Sequence, residues 1–228
     1  MSKKYILFDL DGTVTDSSEG ITKSVQHALL GMGIEETSMS NLRRFIGPPL
    51  DESFMMFYNM SREDALKAVS FYRERYGETG IFENKLYDGV KELLETLREN
   101  GYVTALATCK PEIYVPRILK YFDIYDLFDI AVGSELEGGS RRHKNEVIEE
   151  VFRQIIIKYN LSQDSLNEIK ADSIMIGDRK DDINGAKLAG IESMGVRYGF
   201  AEPEELENAG ADYIVPEVSD IFTMISEL

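Results

Sequence analysis

Residues 5–8, YILF, form a continuous apolar run that stops at Asp9, and the same run followed by polar residues recurs at 102–110 (YVTALATCK), 129–134 (DIAVGS) and 173–182 (SIMIGDRKDD). Short, unbroken apolar runs of this kind read as strands buried on both faces. Two further strands are expected near 192–197 and 212–215. Between the runs the apolar spacing becomes helical. Val90, Leu93, Leu94 and Leu97 share one face between Asp88, placed as the cap, and Gly101, while Val147, Ile148, Val151, Phe152 and Ile155 share another. Strands alternating with helices predict an α/β fold: a Rossmann-like, doubly wound, mainly parallel sheet covered on both faces.

Residues 17–85 break the alternation. Ile21, Val25, Ala28 and Leu29 precede Gly31 and Gly33, DESFMMFYNM follows, and Ser61 is placed as a cap before Ala65, Ala68, Val69 and Tyr72. A βαβ unit needs only about 30 residues, so the long gap between the first two strand runs implies an all-helical insertion. The expected organisation is a discontinuous α/β core of residues 1–16 and 84–228, with a helical domain at 17–83.

At 228 residues and 43% hydrophobic content the chain can bury one large core plus a small insertion. The apolar run near the start is too short and too soon interrupted by acids for a signal peptide. No stretch is long enough to span a bilayer, so the expected compartment is the cytoplasm, with no membrane partner. Cys109 is the single cysteine, which excludes an intramolecular disulfide and a cysteine-based metal cluster. With 25 Lys and Arg against 41 Asp and Glu, the formal charge is −16, which disfavours nucleic acid as a partner. An anionic substrate must then be held by local charge. The one basic cluster, Arg141, Arg142, His143 and Lys144, follows the EGGS stretch, read as flexible.

The chemistry sits where the strands end. Asp9 and Asp11 are two positions apart, so in extended backbone their carboxylates share a face. Thr108 and Lys110 end the second run, Lys144 opens a helix, and Asp178 and Asp182 follow the fourth. In open α/β sheets the loops at the carboxyl ends of the strands form the ligand crevice. Carboxylates, a hydroxyl and a lysine there suit Mg²⁺ and a phosphoryl group. Asp9 and Asp178 supply metal carboxylates and the main-chain carbonyl of Asp11 a further oxygen. Asp9, kept ionised, can act as nucleophile, and Asp11 as acid and base. Gly12 suits a turn in which backbone amides approach phosphate closely. Lys110 either touches phosphate or closes the strand end, and Asp181 competes with Asp182 for the metal role. In the insertion, Arg43 and Arg44 precede the rigid GPP turn, and Arg44 is placed as a substrate contact.

DLDGT at 9–13, ALATCK at 105–110, Lys144 and GDRKDD at 177–182 together resemble the four ordered motifs of the haloacid dehalogenase superfamily, in its phosphatase branch. The similarity is greatest to phosphoglycolate phosphatases and related bacterial nucleotidase-like enzymes. It implies that Asp9 forms an aspartyl-phosphate, that Asp11 is the acid/base, and that Thr108 and Lys144 are the motif threonine and lysine. Gly12 and Thr13 fall within the phosphate-binding motif, and Asp9, Asp11, Asp178 and Asp182 within the metal-binding set. The insertion resembles the family's small cap. The expected activity is a Mg²⁺-dependent phosphomonoesterase acting on a small anionic phosphate ester, of phosphoglycolate or nucleoside monophosphate type, in a monomer or small homo-oligomer. A phosphomutase using the same intermediate and a non-catalytic phospho-acceptor module are the alternatives.

Overall fold

The structure, a computed structural model, describes residues 3–136, 139 and 141–228, so the EGGS stretch lies, apart from Gly139, outside the described residues. Among those residues are eight strands: β1 (Tyr5–Phe8), β2 (Thr15–Asp16), β3 (Lys85–Leu86), β4 (Val103–Pro111), β5 (Ile130–Ser134), β6 (Ser173–Gly177), β7 (Glu192–Val196) and β8 (Tyr213–Val215). Six of them form one sheet in the order β5-β4-β1-β6-β7-β8, and β2 pairs with β3. Every ladder of the large sheet is parallel; Tyr5 stands beside Val103 on one side and Ser173 on the other. This is the mainly parallel, Rossmann-like sheet that the alternation predicts.

The chain divides into two compact units, residues 1–15 with 86–228 and residues 16–85. In the larger unit α5 (Val90–Glu99), α6 (Val115–Tyr121), α7 (Lys144–Lys158), α8 (Leu166–Ala171), α9 (Lys180–Ala189), α10 (Glu205–Ala209) and α11 (Val218–Glu227) surround the sheet. The period of two along β1 explains its wholly apolar composition. Tyr5 and Leu7 join a cluster with Ala105, Val132, Met175 and the apolar stripe of α7, whereas Ile6 and Phe8 are buried outside that cluster. Phe8 meets the edge of Phe128 at 6.3 Å between ring centroids.

One expectation needs correction. Asp88 does not cap α5: the position before the helix is Gly89, at φ +84°, and no side chain accepts a hydrogen bond there. That left-handed turn sets the helix entry without a capping carboxylate.

In the smaller unit α1 (Ser18–Gly31), α2 (Met39–Arg43), α3 (Leu50–Tyr58) and α4 (Arg62–Tyr76) pack around Val25, Leu29, Phe45, Phe54, Ala68 and Tyr72. The Ser61 hydroxyl caps α4 by accepting the Asp64 N–H at 3.1 Å. Phe45 lies 4.8 Å from Phe54 and 5.4 Å from Phe57 between ring centroids, which fixes the chain just before the GPP turn. No helix among the described residues is long and apolar enough to cross a membrane.

Candidate active site

The chemistry-bearing side chains of the larger unit converge at the carboxyl ends of β1, β4 and β6. Asp9 directly follows β1, and its N–H donates to the Ile176 carbonyl of β6 at 2.9 Å, so the strand geometry continues through this residue. Asp178 follows β6, and Asp182 lies in the first turn of α9. Oxygens of Asp9, Asp178 and Asp182 all lie within 4.8 Å of one another, and all three residues are buried.

Lys144 is the counter-charge. Its ammonium sits 2.8 Å from Asp9 Oδ1 and 2.7 Å from Asp182 Oδ1, and donates to the Ala107 carbonyl at 2.9 Å. The Ala107 contact is a hydrogen bond, whereas the Asp9 contact is an ion pair only, since Asp9 Oδ1 has no hydrogen-bond partner. Lys144 opens α7 with its stem against α9; a Cβ on Gly185 would fall 2.5 Å from Lys144 Cγ, so the glycine makes room for it. Its basic neighbours differ: His143 is exposed and Arg142 only half-buried. Asp181 is exposed whereas Asp182 is turned inward, its Oδ2 accepting the Arg179 N–H at 3.0 Å.

The electrostatics follow from this packing. Burial raises Asp9 from the usual carboxylate range to about 6; Lys144 opposes the rise, and Asp182 and Asp11 add to it. Burial, with repulsion from Asp182 and Asp9, also holds Asp178 well above its ordinary value. Burial alone would lower Lys144, but Asp182 and Asp9 outweigh it and keep the ammonium charged.

Asp11 is placed differently. Its Oδ2 pairs with the Lys110 ammonium at 2.8 Å, and its Oδ1 has no hydrogen-bond partner. Of the two roles weighed for Lys110, contact with phosphate or closure of the strand end, the geometry adds a third: it holds Asp11. Thr108 is buried, and its hydroxyl accepts the Lys110 N–H at 3.1 Å. Thr13 donates through Oγ1 to Asp178 Oδ1 at 3.2 Å. Gly12 has φ +89°, and a Cβ there would meet Asp178 Oδ2 at 2.2 Å, so both conformation and space demand glycine. Arg44 belongs to the smaller unit, where its guanidinium lies exposed over the Phe57 ring, 3.9 Å from the centroid.

The pattern of a haloacid dehalogenase-like hydrolase matches residues 6–196, a span that includes the sheet from β1 to β7 and every acidic residue of this site. The chain belongs to that family. It is 43% identical over 201 residues to the 5'-nucleotidase of Pseudomonas aeruginosa, covering 88% of this chain and 86% of that protein. It is 28% identical over 232 residues to the phosphoglycolate phosphatase of Vibrio cholerae, covering 98% and 97%. It is also 32% identical over 214 residues to the tyrosine-protein kinase PtkA of Mycobacterium tuberculosis, covering 93% of this chain and 68% of that one. A crystal structure described as a predicted phosphatase from Clostridium acetobutylicum superposes with a TM-score of 0.88 at 43% identity, covering both chains in full. The protein is an enzyme of the family's phosphatase branch.

Sequence reasoning missed the turn after β7. The Phe200 N–H donates to Asp178 Oδ2 at 2.7 Å, and the Tyr198 hydroxyl donates to the Thr13 carbonyl at 2.9 Å. It also missed Glu205, whose Oε1 accepts from Arg179 Nε and from the Lys180 N–H, each at 2.9 Å, at the start of α9. The RYGF sequence in the turn gave one signal, a glycine between two aromatic residues, but no spacing tied it to the acids.

Proposed function

We propose that this family member is a Mg²⁺-dependent phosphomonoesterase that works through an aspartyl-phosphate on Asp9, with a nucleoside monophosphate as the preferred substrate class. The observation that carries the reading is a charge imbalance. Three buried carboxylates, Asp9, Asp178 and Asp182, face one ammonium, Lys144, leaving a formal deficit of two positive charges. Buried charge without compensation is costly, and a hard divalent cation among oxygen donors supplies what is missing. The donors fit Mg²⁺, which Asp9, Asp178 and the main-chain carbonyl of Asp11 would hold, with Asp182 alongside. When bound, the ion would neutralise phosphate oxygens and favour attack at phosphorus.

The remaining steps belong to the chain. Lys144 fixes one oxygen of Asp9 and leaves the other to attack phosphorus. The Thr108 hydroxyl receives the transferring group, while the Gly12 and Thr13 amides, taken by the Thr15 and Leu10 carbonyls, shape the loop beside it. Asp11, held through one oxygen by Lys110, gives a proton from the other to the departing alkoxide. It then takes a proton from the water that hydrolyses the aspartyl-phosphate, regenerating Asp9 and releasing inorganic phosphate. The smaller unit acts as the cap, with Arg43 and Arg44 as candidate contacts for the non-phosphate end of the substrate. Nucleoside monophosphates are placed ahead of phosphoglycolate because the 43% identical relative is named a 5'-nucleotidase and the phosphoglycolate phosphatase is 28% identical.

The test is phosphate release from a panel of nucleoside monophosphates, phosphoglycolate and sugar phosphates. Turnover is expected with Mg²⁺ and should vanish in EDTA. Mg²⁺ should also raise the Tm, with a stabilisation of about 2.7 kcal/mol at a hundred times its Kd. Full activity in chelator would sink the metal assignment. The same preparation given ATP and a tyrosine-containing peptide should transfer no phosphate, since the proposed aspartyl-phosphate on Asp9 passes its phosphoryl group to water.

Asp11→Asn tests the division of labour between the two motif acids. It should lower kcat by about 10² to 10⁴-fold on substrates with poor leaving groups, and less on an activated aryl phosphate, which departs without a proton. Equal losses on both substrates would remove Asp11 from the acid role.

A further inference from the structure

We infer that Tyr198 is a positioning residue for the metal carboxylate Asp178, acting through Thr13. This rests on the metal reading above. The carboxylate of Asp178 is oriented by two donors: Thr13 Oγ1 to Oδ1 at 3.2 Å and the Phe200 N–H to Oδ2 at 2.7 Å. Both donors are in contact with one short turn, and Thr13 is also held by its N–H to the Leu10 carbonyl at 3.3 Å. Phe200 belongs to it, and Thr13 is held from behind because its carbonyl accepts the Tyr198 hydroxyl at 2.9 Å.

The turn is itself anchored. Its first residue, Arg197, donates its N–H to the Val215 carbonyl of β8 at 3.0 Å, and the Tyr198 ring meets Tyr87 at 4.9 Å. The Tyr87 N–H in turn donates to the Val14 carbonyl at 3.2 Å, one residue beyond Thr13. Between the two donors, Gly199 brings backbone directly onto the site; a Cβ there would fall 2.3 Å from Asp178 Cβ and 2.4 Å from the Gly12 carbonyl oxygen. The 197–200 turn thus couples the loop after β1 to the residue after β6 from outside both motifs.

A metal ligand gains affinity when outer hydrogen bonds fix its orientation, and losing such a partner typically costs 10- to 100-fold in binding. Tyr198→Phe removes the hydroxyl while keeping the ring and its contact with Tyr87. Thr13 should then lose its fixed orientation, and with it the constraint on Asp178 Oδ1.

The experiment compares wild type and Tyr198→Phe by Mg²⁺ titration calorimetry without substrate, and by amide hydrogen exchange in the metal-free protein. The expected result is Mg²⁺ binding weakened by about tenfold or more, with faster exchange at the Phe200 amide and through residues 13–15. At saturating Mg²⁺, kcat should return towards the wild-type value. A purely structural tyrosine would lower the Tm and leave the Mg²⁺ Kd unchanged; that outcome, or unchanged exchange at Phe200 and 13–15, overturns the proposal. Absence of Mg²⁺ binding by the wild type would instead defeat the metal reading, and the exchange data would still decide whether Tyr198 restrains Thr13 and Asp178. Gly199→Ala is the companion variant. Its methyl group would push against Asp178 and Gly12, so it should weaken Mg²⁺ binding more than Tyr198→Phe; Mg²⁺ affinity equal to wild type in a folded Gly199→Ala protein also counts against the proposal.

Discussion

Asp9→Asn should abolish turnover, by at least about 10³-fold in kcat, while leaving a folded protein. The amide has nearly the size of the carboxylate but cannot attack phosphorus to form the acyl phosphate. The stability side of the prediction is equally specific. In the metal-free protein Asp9 is a carboxylate whose burial raises its pKa to about 6, above its ordinary value, so its ionised form costs stability at neutral pH. Removing that charge should leave the metal-free Tm at or above wild type and shrink the rise in Tm caused by Mg²⁺. A folded Asp9→Asn enzyme with near-native turnover would refute the nucleophile assignment.

Lys144→Met should damage both fold and catalysis. The substitution keeps most of the stem that packs against α9 but removes an ammonium lying within 2.8 Å of two buried carboxylates. Deleting one partner of a buried ionic cluster strands the others, at a typical cost of about 3–5 kcal/mol. Urea unfolding of the metal-free variant measures this; a loss below about 1 kcal/mol would show that the cluster does not depend on Lys144. Turnover should collapse as well, since Asp9 loses the contact that fixes one of its oxygens. In the Asp9→Asn background the same substitution should cost less, because only Asp182 is then left unpaired, and a double-mutant cycle reads the difference directly.

Much of this site was legible because its residues sit at the ends of apolar runs. A strand fixes side-chain direction with a period of two, and the parallel sheet brings all its carboxyl ends to one edge, so Asp9 and Asp178 could be placed together although 168 residues separate them. Lys144 was legible through its position ahead of the apolar stripe of α7. The salt bridge from Lys110 to Asp11 was not, because the sequence does not specify which of several polar neighbours a long flexible side chain will choose. Tyr198 was invisible for a different reason: its contribution is one hydroxyl on one main-chain carbonyl, and no periodicity or charge pattern marks such a bond. The misplaced cap at Asp88 shows the reverse error. The acid had the right chemistry for a helix start, but Gly89 next to it turns the backbone left-handed and sets the helix entry by conformation alone.

The position of β1 carries a consequence for how the chain is made. It leaves the ribosome before either of its neighbours, yet it lies in the middle of the sheet, and its partners begin at Val103 and Ser173. Residues 16–85, by contrast, form a contiguous unit that can complete its own contacts as soon as it emerges. During synthesis the apolar YILF segment must therefore wait, with both edges unsatisfied, while some hundred residues are added before its first neighbour arrives. At about 5–20 residues per second that is an interval of several seconds. A waiting apolar strand is a template for wrong pairing. This places the hazard of aggregation in the nascent chain, at β1, rather than in the finished enzyme.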